Sequence, residues 1–228
     1  MTERDNILGR IREGLRVPAS QPTEHDHATT HLSAEPSVAQ AYKWLPAVGS
    51  TQEEQIALFD KNCTDLHANF QCLASRDALK TAIIQLRDAE KWQRVASHEG
   101  ELTQFACQAL GLPTLLTDKG YDVQALEKCD VGITGCDALI AQTGSVAVTS
   151  RSTGGRALTV LPPHHVVIAR RDQLVGDLPT AFALLQRKYE PDFPSMISFI
   201  TGPSRTGDIE RILVLGAHGP KKLTIFCL

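Results

Sequence analysis

SRDALKTAIIQLRDAEKWQRVASHEGELTQFACQAL, residues 75–110, decides how the rest of the chain is read. Ser75 stands where a helix N-cap belongs, and Leu79, Ile83 and Leu86 fall on one face at helical spacing. WQRVAS (92–97) then reads as extended and ELTQFACQAL (101–110) as a second amphipathic helix. Just upstream, QEEQIALFDKNC (52–63) has the same helical spacing and HANFQCLA (67–74) reads as a strand. Strand alternating with helix implies right-handed crossovers and a parallel sheet covered by helices. The fold class is therefore α/β, a mostly parallel sheet flanked by helices.

The second half supplies more strands. VGIT (131–134), SVAVTS (145–150), ALTVL (157–161), HVVIA (165–169), SMISFI (195–200), ILVL (212–215) and LTIFC (223–227) are short β-branched runs separated by Gly and Pro. One helix is expected near Pro179–Arg187. At the other end, residues 2–15 read as a helix, with Thr2 and Asp5 spaced as a capping box and Ile7, Leu8, Ile11 and Leu15 on one stripe. From Val17 to Ser37 the prolines at 18, 22 and 36 and the lack of large apolar residues read as a linker. Its histidines His25, His27 and His31 fit a solvated loop better than a metal site. The organisation expected is an N-terminal helix and flexible linker over 1–37 and one α/β domain over 38–228.

Hydrophobic residues make up 42% and charged residues 21%, enough to build a packed core. Lys and Arg number 23 against 26 Asp and Glu, a net charge of −3 without long runs of either sign, so no nucleic-acid partner is expected. No apolar stretch approaches the length of a membrane span, and the start, MTERDNILGR, lacks the apolar centre of a signal peptide; a cytoplasmic protein is expected. The six cysteines, at 63, 72, 107, 129, 136 and 227, form no C-x-x-C pair. That spacing points to buried thiols, with no metal site and no cofactor held by this chain.

In open α/β sheets ligands gather at the carboxyl ends of strands, so the residues directly after strands matter most. AQTGSVAV places Thr143, Gly144 and Ser145 at a tight turn, which reads either as an anion-binding turn or as a plain hairpin. SRSTGGRALTVLPPHHVV carries Arg156, a guanidinium fork beside two glycines, and His165, which reads either as a buried hydrogen-bonding group or, alternating away from Val166 and Ile168, as part of a polar site. TGPSRTGDIE brings Gly202, Ser204, Arg205, Thr206 and Asp208 within a few residues, either as an anion nest or as a capped turn with an ion pair. GAHGPKKL sets His218 between glycines, as an acid or base or simply in a turn. In this reading ILVL is a core strand. His165, His218 and Asp208 are the catalytic candidates. Thr143, Gly144, Ser145, Arg156, Gly202, Ser204, Arg205 and Thr206 form the rim of one pocket for a small carboxylate or phosphate.

ITGCDALIAQTGSVAV, GGRALTVLPPHHVVIA and TGPSRTGDIERILVLGAHGPKKL together resemble the LUD-domain family of lactate-utilisation proteins of the C type. The resemblance implies a fold similar to the sugar-phosphate isomerase and CoA-transferase group (NagB/RpiA/CoA transferase-like). It also implies a component of bacterial oxidation of L-lactate to pyruvate, working with iron–sulfur partner proteins that hold the clusters. The matching positions are Thr143, Gly144, Arg156, His165, Gly202 to Arg205, Asp208 and His218 to Pro220. Gln142 stands where relatives often carry Glu, and an amide cannot form the acyl-enzyme intermediate that a carboxylate can, so CoA transfer is not expected. No G-x-G-x-x-G opens a helix, so this chain is not expected to oxidise lactate alone. Two alternatives stay open: a stand-alone enzyme on a phosphorylated or CoA-linked metabolite, and a non-catalytic assembly or regulatory module.

Overall fold

The structure, a computed structural model, describes residues 45–207, 213–216 and 218–228. The helix and linker expected over 1–37, and Asp208, lie outside the described residues. Leu45–Leu228 forms one compact unit.

Helix α1 (Gln52–Asp65) starts from a reciprocal capping box. The Thr51 hydroxyl accepts from the Glu54 N–H, and the Glu54 carboxylate accepts from the Thr51 N–H. The chain then runs β1 (Asn69–Cys72), α2 (Arg76–Glu90), β2 (Val95–Ser97), α3 (Glu101–Leu110), β3 (Thr114–Leu116), α4 (Val123–Glu127) and β4 (Val131–Thr134). Ser75 caps α2 as expected, its hydroxyl accepting from the Ala78 N–H at 3.2 Å. A second set follows: β5 (Ala138–Ile140), β6 (Ser145–Thr149), β7 (His164–Ala169), β8 (Leu174–Val175), α5 (Leu178–Tyr189) and β9 (Ile197–Ile200). Last come β10 (Arg205–Gly207), β11 (Leu213–Leu215) and β12 (Lys222–Cys227).

Among the described residues, six strands form a wholly parallel sheet in the order β3-β2-β4-β7-β12-β1. Its two faces are both covered. Leu79, Ile83 and Leu110 of α2 and α3 pack on Val131, Ile133, Val166, Ile168 and Phe226. The opposite face carries Val167, Ala169, Leu223 and Ile225, and meets Phe59 and Cys63 of α1 and Leu139, Val146 and Val148 of a smaller sheet. That sheet has the order β8-β5-β6-β9, and α5 covers its outer side through Ala181 against Ala138, Ile140 and Ala147.

Two sequence expectations are corrected. ALTVL is not a strand; Ala157–Thr159 is a short 3-10 turn, closed by the Thr159 hydroxyl donating to the Arg156 carbonyl at 3.0 Å. Prolines 162 and 163 lack the N–H groups a continuing strand would need. The turn also presses the Leu158 carbonyl against Gly132 of β4, where an added Cβ would stand 2.6 Å away. ILVL is not a core strand either. Residues Leu213–Leu215 pair antiparallel with Arg205–Gly207 in a two-stranded ribbon outside the main sheet.

His164 and His165 open β7 with both side chains inside the protein. His164 contacts the Thr224 hydroxyl at 2.9 Å through Nε2 and meets the edge of Trp92, while His165 Nε2 contacts the Thr134 hydroxyl at 2.8 Å. Each Nδ1 is buried without a partner among the described residues. A bare lone pair there costs less than a buried N–H, so Nε2 carries the proton and donates to the threonine. Burial opposes adding a second proton and holds His164 down at about 4 and His165 at about 3. The unfolded chain protonates both near pH 6.5, so between those values it binds more protons than the folded chain.

Stability is accordingly full above about pH 6.5 and falls on acidification, by about 1.4 kcal/mol per pH unit for each histidine and about 3 kcal/mol together. Urea midpoints measured near pH 7, 6 and 5 should show that slope, and His164→Gln should halve it.

Candidate functional site

The strand order reverses direction between β2 and β4. From β2 the chain crosses by α3 to β3 on one side, whereas β4 leads through the small sheet to β7 on the other. The chain leaves β2 toward the face covered by α3 and β4 toward the face covered by the smaller sheet, and a crevice lies between the two connections. Three segments meet there: His98 to Gly100 after β2, Gly135 and Cys136 after β4, and Arg170 after β7.

His98 organises the crevice. Its Nε2 accepts the Gly135 N–H at 3.0 Å, so its own proton sits on Nδ1 and donates to the Glu99 carbonyl at 2.9 Å. Burial keeps its pKa below the ordinary histidine value, against the opposing pull of the Glu99 carbonyl and the Asp118 charge. A neutral ring with both nitrogens engaged is a fixed strut. Gly100 caps α3 without a side chain, so the first-turn N–H groups of Glu101, Leu102 and Thr103 receive no side-chain cap. Thr103 instead turns its hydroxyl back to the carbonyls of His98 and Gly100, both at 3.0 Å. The helix end, Arg170, His98 and Cys136 enclose a cavity of 130 Å³.

A wider furrow of 450 Å³ adjoins it, and Arg170 and Gln173 line both spaces. Gln173 ties the wall together, donating to the Cys136 carbonyl at 2.6 Å and accepting from the Arg170 N–H at 2.8 Å. The furrow holds Arg170, Arg187 and Lys188 against Asp172 and Asp137. The Asp137 side chain is fully buried; its Oδ1 accepts from Lys188 Nζ at 2.7 Å and from the Tyr189 hydroxyl at 2.5 Å. Burial alone would raise its pKa, but the hydrogen bonds from Lys188 and Tyr189 and the Lys188 charge outweigh that and hold it below the usual carboxylate value. Lys188 is raised in turn, its partial burial outweighed by the same carboxylate. In the furrow Arg170 Nε donates to Asp172 Oδ1 at 3.0 Å and Lys188 is paired with Asp137, which leaves the Arg187 charge in excess, while Glu101 and Arg170 both line the smaller cavity beside the uncapped helix end.

The loop after β6 closes over this crevice. Gly154 has φ +61° and lies on His98 and Thr117, and the Thr117 hydroxyl donates to its carbonyl at 2.9 Å. Arg156, exposed, belongs to the same loop. The other sequence candidates stand elsewhere. Thr143, Gly144 and Ser145 pack near the end of α1, where Asn62 Nδ2 donates to the carbonyls of Ala141 and Gln142. Gly202 and Arg205 join them, Arg205 donating to the Leu66 carbonyl at 2.8 Å, and the Ser145 hydroxyl meets that of Thr201 at 2.8 Å. Ser204 donates its N–H to the Pro220 carbonyl at 2.9 Å, beside the exposed His218. This second cluster lies at the amino end of the main sheet, where Pro163 enters β7 and Lys221 enters β12. His165 sits inside the sheet, between Gly132 and Leu223. For Thr206 only the backbone, in β10, is described.

The expected single rim therefore divides in two: Arg205 and His218 stand with the second cluster, His165 lies inside the sheet, and none of the three lines the cavity beside His98. His98, Gly100, Asp137 and Arg170 were missed. The signal for the first pair was present, since SHEG lies at a strand-to-helix junction.

A family model described as the LUD domain matches residues 32–228. A lactate utilization protein C of Anoxybacillus flavithermus is 30% identical over 190 residues, which cover 77% of this chain and 81% of that one. One from Bacillus licheniformis is 28% identical, covering 96% of this chain and 93% of the relative. Among solved structures, a DUF162 family protein from Deinococcus radiodurans superposes with a TM-score of 0.61 at 20% identity, covering 78% of this chain and 99% of that one, and so shares the fold.

Substituting Gly154 tests the roof over His98. Gly154→Ala should cost about 3 kcal/mol, because the left-handed φ and a Cβ only 2.3 Å from that of His98 act together. Gly111→Ala, at φ +64° with open space around it, should cost about 1 kcal/mol by denaturant titration.

Proposed function

The chain belongs to the LUD domain family, and from that premise we propose that it is a component of bacterial L-lactate utilisation, acting beside iron–sulfur partner proteins and holding a small anionic ligand in the crevice at the carboxyl end of its sheet. The observation that carries this reading is the shared description of its relatives as lactate utilization protein C, over alignments covering 77% to 96% of the chain. The crevice supports the ligand half of the proposal. A cavity of 130 Å³ has room for about four water molecules, roughly the bulk of a three-carbon acid. In it the acid's carboxylate would accept from the uncapped N–H groups of α3 and from the Arg170 guanidinium. His98 acts by position, holding the Gly135 amide and the helix end in place. Electron transfer falls to the partners in this reading, in keeping with cysteines that form no cluster motif.

One observation favours a second reading. The furrow of 450 Å³, with Arg170, Arg187 and Lys188 along it, exceeds what a three-carbon acid needs, and a phosphorylated metabolite would use it fully.

The test is a strain lacking this chain, complemented with the wild type or with Arg170→Ala, and grown on L-lactate or on glucose. Loss of lactate growth alone in the deletion strain is expected, with Arg170→Ala restoring it poorly. Titration of the purified protein with L-lactate, pyruvate and inorganic phosphate should show affinity falling roughly tenfold in Arg170→Ala. Unimpaired lactate growth of the deletion strain would sink the proposal. A preference for phosphate that depends on Arg187 would favour the second reading.

A further inference from the structure

Cys72 and Cys227 end the two neighbouring strands β1 and β12 and stand directly opposite each other in the ladder. Parallel strands lie about 4.8 Å apart, and residues in register send their side chains to the same face. That spacing falls inside the Cα separation of roughly 4.4–6.8 Å that a disulfide spans. The pair is asymmetric. Cys72 is exposed on the edge strand, whereas Cys227 is fully buried in the layer beneath α1. The backbone stays paired past them, the Leu73 N–H donating to the Cys227 carbonyl at 2.7 Å, so the two strand ends are held together.

We propose that Cys72 and Cys227 form a reversible thiol-modification site, which a low-molecular-weight disulfide oxidises to an intramolecular bond between β1 and β12. The exposed Cys72 thiolate attacks one sulfur of the small disulfide and expels the other as a thiol, leaving a mixed disulfide on Cys72. Cys227 then gives up its proton and attacks the Cys72 sulfur, releasing the second small thiol. Two protein thiols become one disulfide, and the small disulfide is reduced to two thiols. Burial and the neighbouring Cys72 push Cys227 up to about 12, so this second attack is the slow step. Cys136 is the competing thiol, near enough to Cys227 for the two to feel each other's charge, but it is buried away from a small disulfide in solvent. Cys63 and Cys136 are buried in the same layer, yet the other ladder neighbour of Cys227 is Ala169. The bond fastens the sheet edge to β12, and the carbonyl of Leu228 just after that strand accepts the Arg171 N–H at 2.6 Å, next to the turn that carries Gln173.

The full-length chain, reduced and then exposed to oxidised glutathione, provides the test. We expect loss of two titratable thiols per chain and a Cys72–Cys227 peptide lighter by two hydrogen atoms. The rate should be independent of protein concentration, and dithiothreitol should reverse the change. Cys72→Ser, a change at an exposed position, should keep all its remaining thiols, and Cys227→Ala should stop at glutathione bound to Cys72. A wild-type chain that also stops at that mixed disulfide would overturn the proposal. So would a dimer joined through Cys72, or a bond from Cys227 to Cys136.

Discussion

The two central strands of the main sheet have no face left for water. Every residue of β4 and β7 is buried, because α2 and α3 cover one side while α1 and the smaller sheet cover the other. Parallel strands so enclosed must find a partner for every backbone group within the ladder, and any polar side chain among them must find a local one. Thr134, His164, His165 and Thr224 do so in two pairs, each histidine spending one nitrogen on one hydroxyl. The same enclosure leaves both imidazoles neutral. It therefore places the most perturbed histidines of the described chain where they serve packing rather than exchange protons with a ligand.

Enclosure also dictates where chemistry can sit. With both faces covered, ligands reach the sheet only at strand ends, and the reversal between β2 and β4 opens the one between His98 and Gly135. Several features converge on that opening for steric reasons. Gly154 lets the loop after β6 rest on His98. Gly100 ends the β2 loop with no side chain over the helix end. Gly100 and Gly154, far apart in sequence, thus serve one purpose, close approach of backbone around a fixed imidazole.

Most elements were legible because their signals are local. The Ser75 cap, the apolar faces of α2 and α3 and the β-branched runs of β4, β6, β7 and β12 all express themselves within a dozen residues. ALTVL failed for one local and one non-local reason: its composition suits a strand, but the prolines directly after it and its crossing of Gly132 make it a turn. ILVL failed similarly, since nothing in those four residues says whether a strand joins the central sheet or a ribbon. His165 shows the limit of parity arguments. Alternation does turn it away from Val166 and Ile168, but the opposite face is equally buried, so the side it turns to offers no solvent. Which end of the sheet a loop occupies is likewise a topological fact, and it separated the Thr143 and Arg205 cluster from the crevice.

Asp137 joins these threads. A carboxylate taken wholly out of water is tolerable only if ionic and hydrogen-bond partners replace its hydration, and here Lys188 and Tyr189, consecutive at the end of α5, supply them. That pairing pins the end of α5 to the strand β5 that follows the crevice, and it leaves Lys188 partly exposed along the furrow. Oδ2 has no hydrogen-bond partner among the described residues, although the Ser152 hydroxyl of the roof loop is near enough to help keep the group ionised. One buried charge therefore couples helix, strand and roof loop around the groove. Replacing it by an apolar group would cost little in principle if its partners were replaced too, whereas removing it alone strands a lysine and a tyrosine at the wall of the site. The arrangement makes better sense as a device that fixes the groove's shape and cationic edge than as a source of stability.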